Sequence, residues 1–197
     1  MFVANCFPQW DTDLFLFLNG LHCPALDTLM WWISAHWTFV PLQVLMVVIL
    51  CRQVGKKRAL WLVLGAVLCI VLADRISSGL IKPWVERLRP SHTVAIEHLV
   101  HTLRGYRGGS YGFVSSHAAN HFVFATFTAL IMRRRWYSIA IFVLAGIVGY
   151  SRIYLGVHYP LDVMCGAALG AAIGYGVYAL YRWITNKLQP PVADIKE

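Results

Sequence analysis

The stretch Ala59–Ile81 reads ALWLVLGAVLCIVLADRISSGLI and decides how the rest of the chain is read. Crossing a bilayer as a helix takes about 20 predominantly apolar residues, and this run has that length with Asp74-Arg75 as its one charged interruption. Working outward, similar runs fall at Ala25–Leu50, Ala118–Met132, Tyr137–Leu155 and Leu161–Trp183. The expected fold class is therefore all-α, an integral membrane bundle of about five transmembrane helices. The Ala118–Met132 run is short unless Ser115–His117 opens its helix. The first run is long and holds Pro41, where a kink is expected. Leu14–Leu18 is too short to span, and with Asp11 and Asp13 before it an N-terminal interfacial helix is expected.

Composition agrees. The chain has 197 residues, 58% hydrophobic and 13% charged. Soluble domains average about 45–50% apolar and about 25% charged residues, so the excess has to face lipid. The net charge of +8 reads as loop lysines and arginines on the cytoplasmic side rather than as a nucleic-acid surface. The start, MFVANCFPQWDTDLFLF, has no basic segment of the kind that opens a secretory signal. Cys51, Cys69 and Cys165 read as packing residues, whereas Cys6 and Cys23 could meet and pair outside the membrane. The organisation expected is an interfacial segment over 1–24, a membrane-embedded domain over 25–185 and a cytoplasmic tail over 186–197.

Lysines and arginines set the orientation. Arg52, Lys56, Lys57 and Arg58 follow the first run, Arg133–Arg135 the third, and Arg182, Lys187 and Lys196 the last. Five spans put all three groups on the cytoplasmic side. The segments 82–117 and 152–160 then face the periplasm or the outside. Trp61, Trp84, Trp136 and Trp183 fit an aromatic belt. Gly166, Gly170 and Gly174 repeat every four residues, a spacing for close helix packing within the bundle or for dimerisation.

Three outward-facing stretches carry the chemistry: Lys82 to Arg89-Pro90, Ser115-Ser116-His117, and Ser151-Arg152 with His158 and Asp162. Cleaving a phosphate ester needs a nucleophile, an acid for the departing oxygen and fixed positive charge around the phosphoryl oxygens. His158 is the candidate nucleophile. Asp162, one helical turn on, can orient its ring and stabilise positive charge there. His117 is the candidate acid, beside serines able to cap a helix whose N–H groups attract anions. Lys82, Arg89 and Arg152 form the expected oxyanion clamp. No carboxylate cluster for a metal accompanies them, so metal-independent chemistry without a cofactor is expected. Taken singly, each has a plainer reading: a hydrogen-bonded interfacial histidine, a headgroup contact, a snorkelling arginine. The joint pattern favours a site. Asp74, Ser78 and Lys82 share a helical face, where Asp74 either steadies Lys82 or pairs with a neighbouring helix. The 91–114 segment, with His92, Glu97, His98, His101, Arg104, Arg107 and Gly108-Gly109, reads as a substrate-recognition loop rather than a metal site.

At these residues the chain resembles the type-2 phosphatidic acid phosphatase family, which shares its core site with vanadium haloperoxidases. The family's first motif, a lysine, six residues and Arg-Pro, is matched by Lys82 to Arg89-Pro90. Its third, Ser-Arg, five residues, His, three residues and Asp, is matched by Ser151-Arg152, His158 and Asp162. Its second is usually Pro-Ser-Gly-His and here reads Val114-Ser115-Ser116-His117, so Ser116 carries a Cβ where glycine lets the backbone approach phosphate. The resemblance covers about residues 60–180. It implies attack by His158, protonation of the leaving group by His117, orientation of His158 by Asp162, and phosphate binding by Lys82, Arg89, Ser115, Ser116 and Arg152. The expected substrate is a membrane lipid phosphate or diphosphate, with undecaprenyl diphosphate foremost and lipid A, phosphatidylglycerol phosphate and phosphatidic acid as alternatives. A non-catalytic lipid transporter and a haloperoxidase are the rivals from other classes. The expected location is the bacterial inner membrane. Oligomeric state stays open.

Overall fold

The computed structural model describes residues 7–35 and 37–188, so Cys6 and the end of the tail lie outside the described residues. Helix α1 spans Gln9–Gly20, α2 Pro24–Ser34, α3 Val40–Val54 and α4 Lys56–Asp74. The last continues through a π-helical turn, Arg75–Ile81, into the short α5, Lys82–Val85. After an irregular segment come α6 (Ser116–Met132), α7 (Arg135–Tyr154) and α8 (Pro160–Leu188).

The bundle is all-α, but the expectation of five transmembrane helices is corrected. Among the described residues, three helices are long and apolar enough to cross a membrane: Lys56–Val85, Arg135–Tyr154 and Pro160–Leu188. The first expected span breaks between Ser34 and Val40, just ahead of Pro41. A proline inside a helix loses a backbone hydrogen bond and clashes with the preceding turn. The chain avoids both penalties by ending α2 at Ser34 and restarting with Pro41 in the first turn of α3. At 1.5 Å per residue the two pieces reach only about 16 and 22 Å. The other shortfall is α6, with 17 residues and with His117, Asn120 and His121 in its first two turns.

Helix α6 is instead the buried axis of the bundle. Ala118, Ala119, Val123, Ala125, Phe127 and Thr128 are fully enclosed by α4, α7 and α8. The glycine row of α8 makes this possible. A Cβ at Gly166 would stand 2.5 Å from the Ser115 carbonyl oxygen, and one at Gly174 2.7 Å from that of Val123. The row is thus used inside the bundle, where close backbone approach replaces a hydrophobic drive that lipid cannot supply.

Helix α1 is docked rather than simply interfacial. Asp11, Phe15 and Asn19, four residues apart, form a buried face, while Trp10 and Phe17 stay exposed. Asn19 Nδ2 donates to the carbonyls of Ile153 (3.1 Å) and Tyr154 (2.9 Å), and its Oδ1 accepts from the His101 N–H (2.8 Å). This fastens α1 to the end of α7. The chain reverses direction between α5 and α6, between α6 and α7 and between α7 and α8, so the ends of α5 and α7 and the starts of α6 and α8 meet at one end of the bundle.

Candidate active site

All three motif stretches converge at that end. The segment leaving α5 is pinned by an isolated bridge between Leu88 and Tyr111, with the Arg89 N–H donating to the Ser110 carbonyl (3.1 Å) and the Gly112 N–H to that of Arg87 (2.8 Å). Two glycines let the outer segment close on Arg89. Gly108 has φ +67°, and a Cβ there would meet Arg89 Nη1 at 2.8 Å; one at Gly112 would meet Asp162 Oδ2 at 3.0 Å. Gly108 and Gly112 thus lie against the site, whereas Gly109 has open space beside it.

His158 lies in the turn between α7 and α8 and is 1% exposed. Its Nδ1 stands 3.4 Å from Asp162 Oδ2, and Arg89 Nη1 stands 3.3 Å from its Nε2. Arginine only donates, so Nε2 is the acceptor and the proton of the neutral ring belongs on Nδ1, facing the carboxylate. Burial, followed by the charges of Arg89, Arg152 and Lys82, holds the imidazole well below its ordinary 6.5, with the Gly112 backbone hydrogen bond acting the other way. The ring is therefore neutral at physiological pH, with its lone pair toward the arginine.

Asp162 is fully buried and tightly held. Its Oδ2 accepts from the Tyr159 N–H (3.0 Å), and its Oδ1 from Arg87 Nη1 (2.6 Å). Arg87 was not singled out in the sequence. Its Nη2 donates to Asp11 Oδ2 (2.6 Å), and its guanidinium lies between the rings of Phe7 (3.8 Å) and Tyr159 (4.0 Å). Asp11 Oδ1 also accepts from the Leu161 N–H at the start of α8 (2.9 Å). Arg87 sits two residues before Arg89, a spacing that could have flagged it. Asp11 gave no local signal, because its partner lies 76 residues away.

The remaining expected residues are placed unequally. Lys82 starts α5 just after the π turn, a distortion frequent at functional sites. Ser115 caps α6, accepting from the Ala118 N–H (3.4 Å), and its own N–H donates to the Asp162 carbonyl (2.9 Å). The backbone N–H is thus used within the fold, while the Oγ that accepts at the cap still carries an O–H to donate. Ser116 Oγ meets Ser77 (3.0 Å) and Ser78 (2.8 Å) of the π turn, so the Cβ that replaces the usual glycine hydrogen carries a hydroxyl tie to that turn. Asp74 is exposed and accepts from Ser78 (3.4 Å). His117 lines a cavity of about 160 Å³ with Val40, Gln43, Ile70, Asn120 and His121. Arg152 turns toward α2, where Nη1 donates to Ser34 and Nη2 to the Tyr106 hydroxyl (3.1 Å).

Charge defines what this end can hold. Lys82, Arg87, Arg89 and Arg152 face Asp11 and Asp162, an excess of two positive charges. A phosphate monoester near neutrality carries about −1.5 to −2 and would balance it. Among the described residues no three His, Cys, Asp or Glu side chains come together to hold a metal ion.

Residues 58–186 match the family described as the PAP2 superfamily. The chain belongs to that superfamily. It is 39% identical over 177 residues to a lipid A 4'-phosphatase of Porphyromonas gingivalis, covering 90% of this chain and 75% of the relative. It is 28% identical over 169 residues to an undecaprenyl-diphosphatase of Sulfolobus acidocaldarius, covering 84% and 76%. The crystal structure of Aquifex aeolicus LpxE superposes with a TM-score of 0.66 at 25% identity, covering 91% of this chain and 99% of that one. As a PAP2 protein the chain is a multi-pass membrane protein and a metal-independent hydrolase of lipid phosphate esters.

Proposed function

We propose that this PAP2 hydrolase removes a phosphate from lipid A, at the 4′ position, through a phosphohistidine on His158. The observation that carries the mechanism is the buried neutral imidazole, with Nδ1 toward Asp162 and its Nε2 lone pair on the arginine that would hold phosphate. Arg89 shifts its donor from Nε2 to a phosphoryl oxygen when the ester binds, with Lys82 and Arg152 completing the cradle. Nε2 attacks phosphorus, the N–P bond forms, and the P–O bond to the lipid breaks. His117 gives its proton to the departing oxygen. Water then attacks the phosphohistidine with His117 as base, releasing inorganic phosphate and regenerating the free imidazole. Asp162, fixed by Arg87 and Tyr159, stabilises the ring while it carries positive charge. Ser115 acts from within the fold, by starting α6 and holding the Asp162 backbone, and Ser116 by tying α6 to the π turn.

The substrate rests on the relatives. The undecaprenyl diphosphate foremost in the sequence reading has support from a relative at 28% identity, whereas lipid A has support at 39% over more of the chain. Undecaprenyl diphosphate is therefore the second reading. The basic segments around Arg52–Arg58, Arg133–Arg135 and Arg182–Lys187 lie at the end opposite His158, which supports a site facing the periplasm of a bacterial inner membrane.

The deciding experiment is phosphate release by detergent-purified protein in EDTA, offered lipid A, undecaprenyl diphosphate, phosphatidylglycerol phosphate and phosphatidic acid. Release from lipid A that His158→Ala abolishes is the expected result. Release confined to another lipid overturns the substrate, and turnover surviving in His158→Ala overturns the mechanism.

A further inference from the structure

Lys82 owes its direction to the turn before it. Its N–H donates to the carbonyl of Ser77, five residues back, so Arg75–Ile81 is π-helical where α4 would otherwise run on unbroken. A π turn takes in one residue more than an α turn. Every side chain after it is therefore rotated by roughly 100° relative to a continuous α-helix. In that orientation the Lys82 charge acts on the His158 ring and on Arg89. The stretch Ser77-Ser78-Gly79 lets the helix leave α geometry, since serine and glycine are weak helix formers, but it does not choose the departure.

What fixes the turn comes from α6. Ser77 is fully buried, and its Oγ donates to Ser116 Oγ (3.0 Å). Ser78 Oγ lies 2.8 Å from the same atom and donates to Asp74 Oδ1 (3.4 Å). Each hydroxyl has one proton to give. With the Ser78 proton on the carboxylate, Ser77 donates to Ser116, Ser116 to Ser78 and Ser78 to Asp74, and all three donors are answered. The Ser116 hydroxyl proton is spent in that chain. One residue earlier, the Ser115 N–H donates to the Asp162 carbonyl (2.9 Å). The start of α6 is thus fastened to the backbone of the orienting carboxylate on one side and to the π turn on the other. We propose that Ser116 is a positioning residue for Lys82: with Ser77 and Ser78 it locks the π turn that aims the ammonium at the phosphate. The assignment rests on the phosphate cradle of the proposed function and gives the Ser116 hydroxyl a task other than binding phosphate itself.

The test measures affinity for inorganic phosphate, read from the phosphate-dependent rise in the unfolding midpoint of detergent-purified protein. Each variant is compared with itself without phosphate, which sets aside any loss of stability from the substitution. Ser116→Ala removes the hydroxyl and keeps the backbone N–H, and Ser77→Ala removes the same tie from the other side. Lys82→Met should weaken phosphate binding by about tenfold or more, the scale of a lost hydrogen bond to a charged group. Ser116→Ala and Ser77→Ala should each weaken it by about three- to tenfold. Either one combined with Lys82→Met should bind phosphate no more weakly than Lys82→Met alone. Unchanged affinity in both serine variants overturns the positioning role and leaves a tie that serves stability only. A Ser116→Ala loss that multiplies in full with that of Lys82→Met also overturns it and makes Ser116 a phosphate ligand in its own right. Phosphate affinity that is the same in wild type and Lys82→Met overturns the cradle, and the positioning role with it.

Discussion

Replacing Arg87 with lysine keeps the positive charge but removes the fork that joins two buried carboxylates. Arg87 reaches Asp162 through one guanidinium nitrogen and Asp11 through the other, each at 2.6 Å. Lysine carries one nitrogen and cannot replace both contacts, so one charge-assisted hydrogen bond is lost, a cost of about 1.5–3 kcal/mol. For a chain of this length the unfolding midpoint should fall by roughly 3–12 °C. Asp162 keeps the Tyr159 N–H at 3.0 Å and so stays near its place, though less tightly held. A displaced orienting group costs up to about 100-fold in rate, and kcat should fall by about 10- to 100-fold. KM should stay within about threefold, because Arg87 is committed to carboxylates rather than to the phosphate cradle. The assay is phosphate release at saturating substrate, run on Arg87→Lys, Asp162→Asn and the double variant. If Arg87 acts through Asp162, the double variant is little worse than Asp162→Asn alone. A KM that rises tenfold with kcat unchanged, or losses that add in full, would refute the reasoning and make Arg87 a substrate ligand.

With His158 as the proposed nucleophile, its proton is expected to set the acid limb of the rate. Its depressed pKa means that protonation, which blocks attack, sets in well below pH 6.5, so kcat/KM should hold constant down through pH 6.5 and fall only at lower pH; a limb centred at or above 6.5 would contradict the buried neutral ring. The same depression makes the unfolded chain bind the proton first, so this group's contribution to stability is present above pH 6.5 and lost as pH falls below it, measurable as a falling unfolding midpoint. Val94, 80% exposed in the outer segment, gives a topology test: in a cysteine-free background, Val94→Cys should react with a membrane-impermeant maleimide while the inner membrane is intact, and labelling only after that membrane is broken would reverse the orientation.

The residues that meet at the site were legible because each lies at the end of an apolar run, and alternating runs return to the same side. Lys82, Arg89, Arg152, His158 and Asp162 follow from that periodicity plus the charge they carry against an apolar background, whereas His117, expected with them, lines a cavity with Val40, Gln43, Ile70, Asn120 and His121. What was not legible depends on contacts between distant segments. Asp11 looked like the polar edge of an interfacial helix, yet it is buried on Arg87. Ser115 and Ser116 read as phosphate ligands; that their hydroxyls also serve the α6 cap and the π turn was not legible. Neither role is encoded in the four residues of the motif itself.

The broken first span and the buried Arg152 explain each other. An unbroken helix over Ala25–Leu50 would give every mid-span carbonyl an N–H four residues on and leave nothing for a cation. Ending α2 at Ser34 frees its last carbonyls, which have no helical partner, and concentrates the negative end of its dipole there. Arg152 takes up that end directly, donating to both the Ser34 carbonyl and the Ser34 hydroxyl. A guanidinium that is 2% exposed needs such acceptors, since the effective cost of burying an unanswered charge is several kcal/mol. The same break leaves the gap that Trp31, Trp37 and Tyr106 line. The break thus does more than shorten a span: by ending α2 beside α7, it supplies acceptors that let Arg152, a proposed phosphate ligand, stay buried while it lines the adjoining cavity.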